Sequence, residues 1–172
     1  MATANANLPQ MKQAIFESHG EAETESLGAA LAAVLPNGSV VALDGALGAG
    51  KTRLVQAIAA ASGVDRQECV SPTFVLIHEY AGRRPIFHFD AYRLRDEDEF
   101  VELGAEEYFD RDGLVLIEWA ERIERSLPND RLEIRIRPLG ATSRRFEFTA
   151  WGADYEQALD ALARLPGITS PQ

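Results

Sequence analysis

Gly45-Ala46-Leu47-Gly48-Ala49-Gly50-Lys51-Thr52 has the residue types and spacing of a loop that closes around phosphate. Glycines let backbone N–H groups approach phosphate oxygens, and the helix N-terminus that follows adds positive potential. Lys51 reaches the β- and γ-phosphates, and the Thr52 hydroxyl can bind Mg2+. The plainer alternative is a glycine-rich structural turn. Against it stands the composition: the chain has 13 glycines in 172 residues, and of its 17 basic residues only Lys12 and Lys51 are lysines, so a chance match at this spacing is rare. The loop also falls between the apolar run Val40-Val41-Ala42-Leu43 and a segment rich in helix formers, the context in which such a loop works.

A second stretch supplies the acid this chemistry needs. Leu114-Val115-Leu116-Ile117-Glu118-Trp119 sets large apolar residues before a carboxylate, the form of a Walker-B strand whose terminal acid meets the Mg2+ shell. Such runs are common, but beside a phosphate loop Glu118 is the best metal-side carboxylate. Residues 86–92, read as a strand, put His88, Asp90 and Tyr92 on one face and Phe87, Phe89 and Ala91 on the other. An Asp among aromatics near a strand end is either functional or solvent-facing. Val70-Ser71-Pro72-Thr73 is a hydroxyl-bearing break where a γ-phosphate could be sensed. On those four residues alone, a proline-directed turn into a strand is the simpler reading.

The elements that must position these groups follow from periodicity. Residues 21–35 repeat Leu27, Leu31, Val34 and Leu35 at helical spacing until Pro36-Asn37-Gly38, and Ser18-x-x-Glu21 resembles a capping box at the start. Residues 39–44 are nearly all apolar, as expected of a central strand buried on both faces. Residues 51–62 form a helix closed by Gly63. The strand pattern 74–80 turns at Ala81-Gly82-Arg83-Arg84 into residues 85–92, an antiparallel hairpin that makes the sheet mixed. Asp96-Glu97-Asp98-Glu99 opens a short helix, residues 105–109 form another turn, and residues 120–125 a third. Leu132-x-Ile134-x-Ile136 and Phe146-x-Phe148-x-Ala150 pair as a hairpin with Glu133, Arg135, Arg137 and Glu147 on a wet face. A helix over residues 154–165 closes the chain.

The expected class is α/β: a P-loop NTPase of three layers, with a mixed β-sheet flanked by helices, in a single domain over residues 1–172. Residues 1–17 and 166–172 are expected to be flexible tails. The formal charge of −10 argues against a broad grip on a phosphate backbone, so any nucleic acid would be held by a partner. Cys69 is the sole cysteine, which rules out an intrachain disulfide and a cysteine-based zinc site and fits a reducing cytosol. Neither a secretory leader nor a membrane span is visible, so a cytoplasmic protein is expected.

Side by side, these stretches resemble the TsaE (YjeE) family, small bacterial P-loop ATPases of tRNA threonylcarbamoyladenosine synthesis. The resemblance rests on the loop from Gly45 to Thr52, Ser71-Pro72-Thr73-Phe74, His88-Phe89-Asp90 with Tyr92-Arg93-Leu94, Glu102-Leu103-Gly104 with Glu107-Tyr108-Phe109, and Ile117-Glu118-Trp119. It covers roughly residues 20–150, and the motifs are specific together rather than singly. It implies ATP and Mg2+ as cofactors, hydrolysis of ATP in a complex with TsaD and TsaB subunits, and contact with tRNA only through that complex. By position, Leu47, Gly48, Ala49, Gly50 and Lys51 would cradle the phosphates, and Thr52 with Glu118 would hold Mg2+. Asp90 would orient or deprotonate the attacking water, with Lys51 as its catalytic companion. Thr73 would belong to the nucleotide-sensing segment, Trp119 would lie near the nucleotide, and Glu21 would approach the adenine. The chain departs from the family pattern at Ala46, Ala91 and Ala120; none of these removes a group the mechanism needs.

Three other readings remain open on the residues. A small P-loop kinase would need an acceptor pocket and an arginine-rich lid, and here the arginines are dispersed. A GTP switch would need an Asn-Lys-x-Asp stretch, which the chain lacks. A nucleotide-bound assembly factor would use Asp90 and Glu118 only to shape an interface.

Overall fold

A computed structural model describes residues 11–65, 68–69 and 76–171. Strand β2 (Ser39–Asp44) is buried along nearly its whole length, because it runs through the middle of an eight-stranded sheet. The other strands are β1 (Met11–Ser18), β3 (Ile77–Ala81), β4 (Pro85–Asp90), β5 (Leu114–Glu118), β6 (Arg131–Pro138), β7 (Arg144–Trp151) and β8 (Ile168–Thr169). Their order is β3-β4-β5-β2-β6-β7-β1-β8. The four central strands β4, β5, β2 and β6 run parallel, and β3, β7 and β1 add antiparallel flanks. The sheet is therefore mixed, as the hairpin spacing implies.

Alternation along β2 splits the core in two. Val41 and Leu43 face a layer made by helices α1 (Glu21–Val34), α2 (Lys51–Ala61) and α4 (Ala153–Leu162). Val40 and Ala42 face a second layer, from helix α3 (Glu97–Glu102) and the 3-10 segments Ala91–Arg93, Ala105–Asp110 and Ala120–Ser126. The second layer covers only the β3-β4-β5-β2 half. On the other half that face carries Glu133, Arg135 and Glu147, the wet face legible in the hairpin's charges. Among the described residues no helix is long and apolar enough to cross a membrane.

Four expectations are corrected. Residues 11–17 are not a tail: they form β1, which pairs with β7 from Met11↔Trp151 to Ser18↔Arg144 and buries Ala14 and Phe16. Within 166–172, Ile168–Thr169 pairs with β1 as a short outer strand; residues 1–10 and 172 lie outside the described residues. The capping box also fails, because β1 runs through Ser18 and Gly20 takes the N-cap position without a side chain. The Ser18 hydroxyl instead donates to Gly20 O at 2.7 Å, and Glu23 accepts the His19 amide at 2.9 Å. Strand β4 stops at Asp90 rather than residue 92, because the Asp90 carboxylate accepts the Tyr92 amide at 3.1 Å and turns the chain into a 3-10 segment.

Candidate phosphate and metal site

The loop after β2 meets α2 at the C-terminal edge of the parallel strands, where α/β sheets bind ligands. Gly45 has φ +151, and a Cβ there would sit 2.6 Å from Ile136 O, so only glycine lets the loop leave β2 pressed against β6. Gly50 caps α2 at φ +112 and offers no side-chain cap, and the first helical turn holds no acid. The amides at that terminus therefore keep their positive potential for an anion. Gly48 lies at the outer bend and Leu47 projects into solvent, so Leu47 can serve a phosphate only through its backbone; Ala49 is buried in the core, and its amide donates to Ala46 O at 3.0 Å.

Lys51 is 4 % exposed. Its Nζ donates to Gly45 O and to Ala46 O and lies 3.6 Å from the Trp119 ring centroid. Burial pushes the ammonium pKa down, while the carboxylates of Glu118, Glu121, Asp44 and Asp90 pull it back up. Trp119 takes φ +59, a left-handed conformation that costs a bulky residue of order 1 kcal/mol or more and marks a position held for a purpose. Its ring also packs against Tyr92, with centroids 4.9 Å apart and planes tilted by 40°.

The Thr52 hydroxyl lies 2.9 Å from each Glu118 oxygen, which brings the two expected metal-side groups together. Asp90 and Glu118 are register partners at the ends of β4 and β5, so both acids rise from one edge of the sheet. Asp90 also faces Arg93 Nε at 3.5 Å. Glu21 is exposed and pairs with Arg53 at 2.7 Å, which sets it beside the first turn of α2. Thr73, with Ser71 and Pro72, lies outside the described residues. Among the described residues no cluster of three or more His, Cys, Asp or Glu could hold a cation unaided. One hydroxyl and one or two carboxylates fit Mg2+, which takes its remaining ligands from water and phosphate.

Two residues with a place in this geometry, Asp44 and Arg144, are not singled out by the sequence, and a third, His88, is quoted there without a role. His88, 1 % exposed, holds Glu118 Oε1 at 2.8 Å through Nε2 and meets Tyr80 OH at 3.4 Å through Nδ1. Alternation had put it on the Asp90 face; its partner depends on β4 pairing with β5. Asp44 ends β2 and accepts the Glu121 amide at 3.0 Å, and burial with the facing Glu121 carboxyl pushes its pKa up to about 7. An acid ending the apolar run before the loop was the available signal. Arg144 donates to Ala49 O at 2.9 Å from the far hairpin, and nothing local announces it. An open cleft of about 410 Å3 adjoins the loop between Ala46, Trp119, Glu121 and Arg137. A depression of about 290 Å3 on the wet face, near Gln13 and Thr149, does not touch Lys51, Thr52 or Glu118.

A family model described as "Threonylcarbamoyl adenosine biosynthesis protein TsaE" matches residues 18–146. The chain is 40% identical over 161 residues to the tRNA threonylcarbamoyladenosine biosynthesis protein TsaE of Bacillus subtilis, covering 93% of this chain and 100% of that one. It is 39% identical to the protein of that name from Treponema pallidum, over 74% of this chain and 93% of the other. A crystal structure of YdiB from Bacillus subtilis superposes with a TM-score of 0.76 at 36% identity, over 90% of this chain and 97% of that chain.

Proposed function

This chain belongs to the TsaE family, and from that premise we propose that it binds ATP with Mg2+ and hydrolyses it in the cytoplasm for tRNA threonylcarbamoyladenosine synthesis. Its partners in this reading are TsaD and TsaB subunits, and tRNA is reached only through them. The observation that carries the reading is the convergence of Lys51 and Thr52 with two acids from neighbouring parallel strands, Asp90 and Glu118.

In this reading the loop amides and Lys51 hold the β- and γ-phosphates and spread the charge that develops during transfer. Thr52 and Glu118 hold Mg2+, which when bound neutralises phosphate oxygens. Asp90 accepts a hydrogen bond from the attacking water and sets it in line with the leaving oxygen. Trp119 shields Lys51 from solvent. A lone chain is expected to be slow, because a trans-acting arginine contributes on the order of 10³ to 10⁵ in rate in P-loop enzymes.

The test is co-purification with TsaB and TsaD, with and without ATP, followed by phosphate release. Weak turnover alone and strong stimulation in the complex are expected; equal rates would remove the partner's role, and no uptake of adenine nucleotide by calorimetry would remove the reading. One observation favours the non-hydrolytic alternative: Asp90 is already engaged by the Tyr92 amide and Arg93. Asp90→Ala decides between them. Lost phosphate release with retained assembly supports hydrolysis, and the reverse supports an assembly factor.

A further inference from the structure

The phosphate loop is held at both ends by one hairpin. At its entrance Gly45 packs against Ile136 O of β6, at 2.6 Å from the position of a Cβ. At its exit Arg144, the first residue of β7, donates from Nε to Ala49 O at 2.9 Å and lies 3.8 Å from where a Gly50 Cβ would be. The same guanidinium donates through Nη1 to Gly140 O at 3.0 Å and Ser143 O at 2.9 Å, which ties down the turn between β6 and β7. The neighbouring arginines spend their charge on carboxylates: Arg137 pairs with Glu147 and Arg145 with Glu17. Arg144 bonds carbonyl oxygens instead, and among the described residues no carboxylate lies within ion-pairing distance of it.

Peptide geometry gives this contact a consequence. A trans peptide is a rigid plane with its C=O and the following N–H on opposite sides. Holding the Ala49 carbonyl outward toward β7 therefore turns the Gly50 N–H to the opposite side, into the loop. We propose that Arg144 is a positioning residue for nucleotide phosphates: it locks the Ala49–Gly50 peptide so that the loop amides converge, and it leaves an unneutralised positive charge on the side of the loop away from Glu118. This rests on reading the loop as a nucleotide cradle. It adds a coupling between the β6–β7 turn, residues 139–143, and nucleoside diphosphate or triphosphate affinity.

The test uses the full chain as wild type, Arg144→Ala, Arg144→Lys and Arg144→Gln. Two measurements are made: amide hydrogen exchange at residues 48–51 without nucleotide, and calorimetric affinity for ADP with Mg2+. Arg144→Ala is expected to raise loop exchange and weaken ADP by about 10-fold, the scale of one charge-assisted hydrogen bond, while β7 amides stay protected. Lysine, which can still reach a carbonyl with a charge, restores most of both; glutamine restores little. Unchanged loop exchange and unchanged ADP affinity in Arg144→Ala overturn the proposal. If the alanine variant does not fold, as a loss of β7 protection would reveal, lysine and glutamine decide: equal loop exchange in both and in wild type overturns it, and a rise in glutamine alone supports it. If the wild type takes up no nucleotide, the ATPase reading fails by itself, and the loop-exchange comparison still decides the role of Arg144.

Discussion

His88 gives Glu118 a fixed direction: with Nε2 at 2.8 Å on one carboxylate oxygen and Thr52 at 2.9 Å, the buried acid has one arrangement that faces the loop. Partners of a metal-side ligand commonly set affinity by about 10- to 100-fold. His88→Ala should therefore weaken the Mg2+ enhancement of ADP binding by that order while ADP binding without metal changes little. It should also cost about 2 kcal/mol of stability, since a buried carboxylate loses a hydrogen bond. His88→Asn, which can still donate, should recover part of both; calorimetry with and without Mg2+ reads the first effect and thermal melting the second. Asp44 makes a pH prediction. Its carboxyl faces Glu121 and is buried, so the folded pKa stands at about 7 against 3.8 for the ordinary group, and Arg135 offsets only part of that. Across that window the folded chain keeps a proton the unfolded chain has released, so this group's contribution makes stability fall as pH rises and level off above about 7. Asp44→Asn keeps the acceptor for the Glu121 amide and removes the charge. It should melt higher than wild type at about pH 8, by a margin equivalent to about 1 kcal/mol once solvent screening is allowed for, and match it only at about pH 3, below the unfolded value of 3.8. A wild type whose melting rises between those two pH values as steeply as the variant's would remove the assignment.

At the scale of elements, α2 carries Lys51 and Thr52, so whatever sets α2 sets the site. Gly28 of α1 lies tight against α2: a Cβ there would meet Ala57 Cβ at 2.4 Å and Ala57 backbone carbon at 2.8 Å. Because backbone as well as side chain blocks the space, Gly28→Ala must push the helices apart. A loss of about 1 to 3 kcal/mol is expected, together with weaker ADP binding as the first turn of α2 moves. Adding Ala57→Gly should return only part of the stability, and a double-mutant melting cycle measures the coupling. What was legible in advance divides along the same line. Val40 to Leu43 announced β2 because a strand buried on both faces leaves an unbroken apolar run, and Gly45 to Thr52 announced the loop because its contacts are local. Strand β1 escaped notice because its inward residues, Ala14, Phe16 and Ser18, are one small, one large and one polar, a weak alternation among Lys12, Gln13 and Glu17. His88 and Arg144 were beyond local reading: their partners lie 30 and 95 residues away and exist only once β4 meets β5 and β7 returns beside the loop.

Across the whole molecule, the antiparallel half of the sheet has a helical layer on one face and water on the other, so β7 depends on its neighbours in the sheet for protection. On one side β6 pairs with it. On the other β1 covers its edge over the full register from Met11↔Trp151 to Ser18↔Arg144, reinforced by the Arg145–Glu17 ion pair. Phe16 lies beneath this seam against Phe146 and contributes the largest apolar burial of β1. Phe16→Ala should cost about 3 kcal/mol by melting, a large fraction of the 5 to 15 kcal/mol typical of a folded domain. ADP affinity measured well below the melting point should hold, because the β1–β7 backbone pairing that places Arg144 does not depend on the Phe16 ring. Removing residues 1–18 is a different perturbation: it uncovers the hydrogen-bonding edge of β7 together with Phe146 and Phe148, and an open apolar edge of that length pairs with other chains. The shortened chain should elute as large species and lose its cooperative melt. Arg144 stands at the end of the uncovered strand, so any monomer that survives should show the same loss of loop protection as Arg144→Ala. A truncated chain that stays monomeric, melts with the wild type and keeps its loop amides protected would mean that β7 is held by β6 and α4 alone.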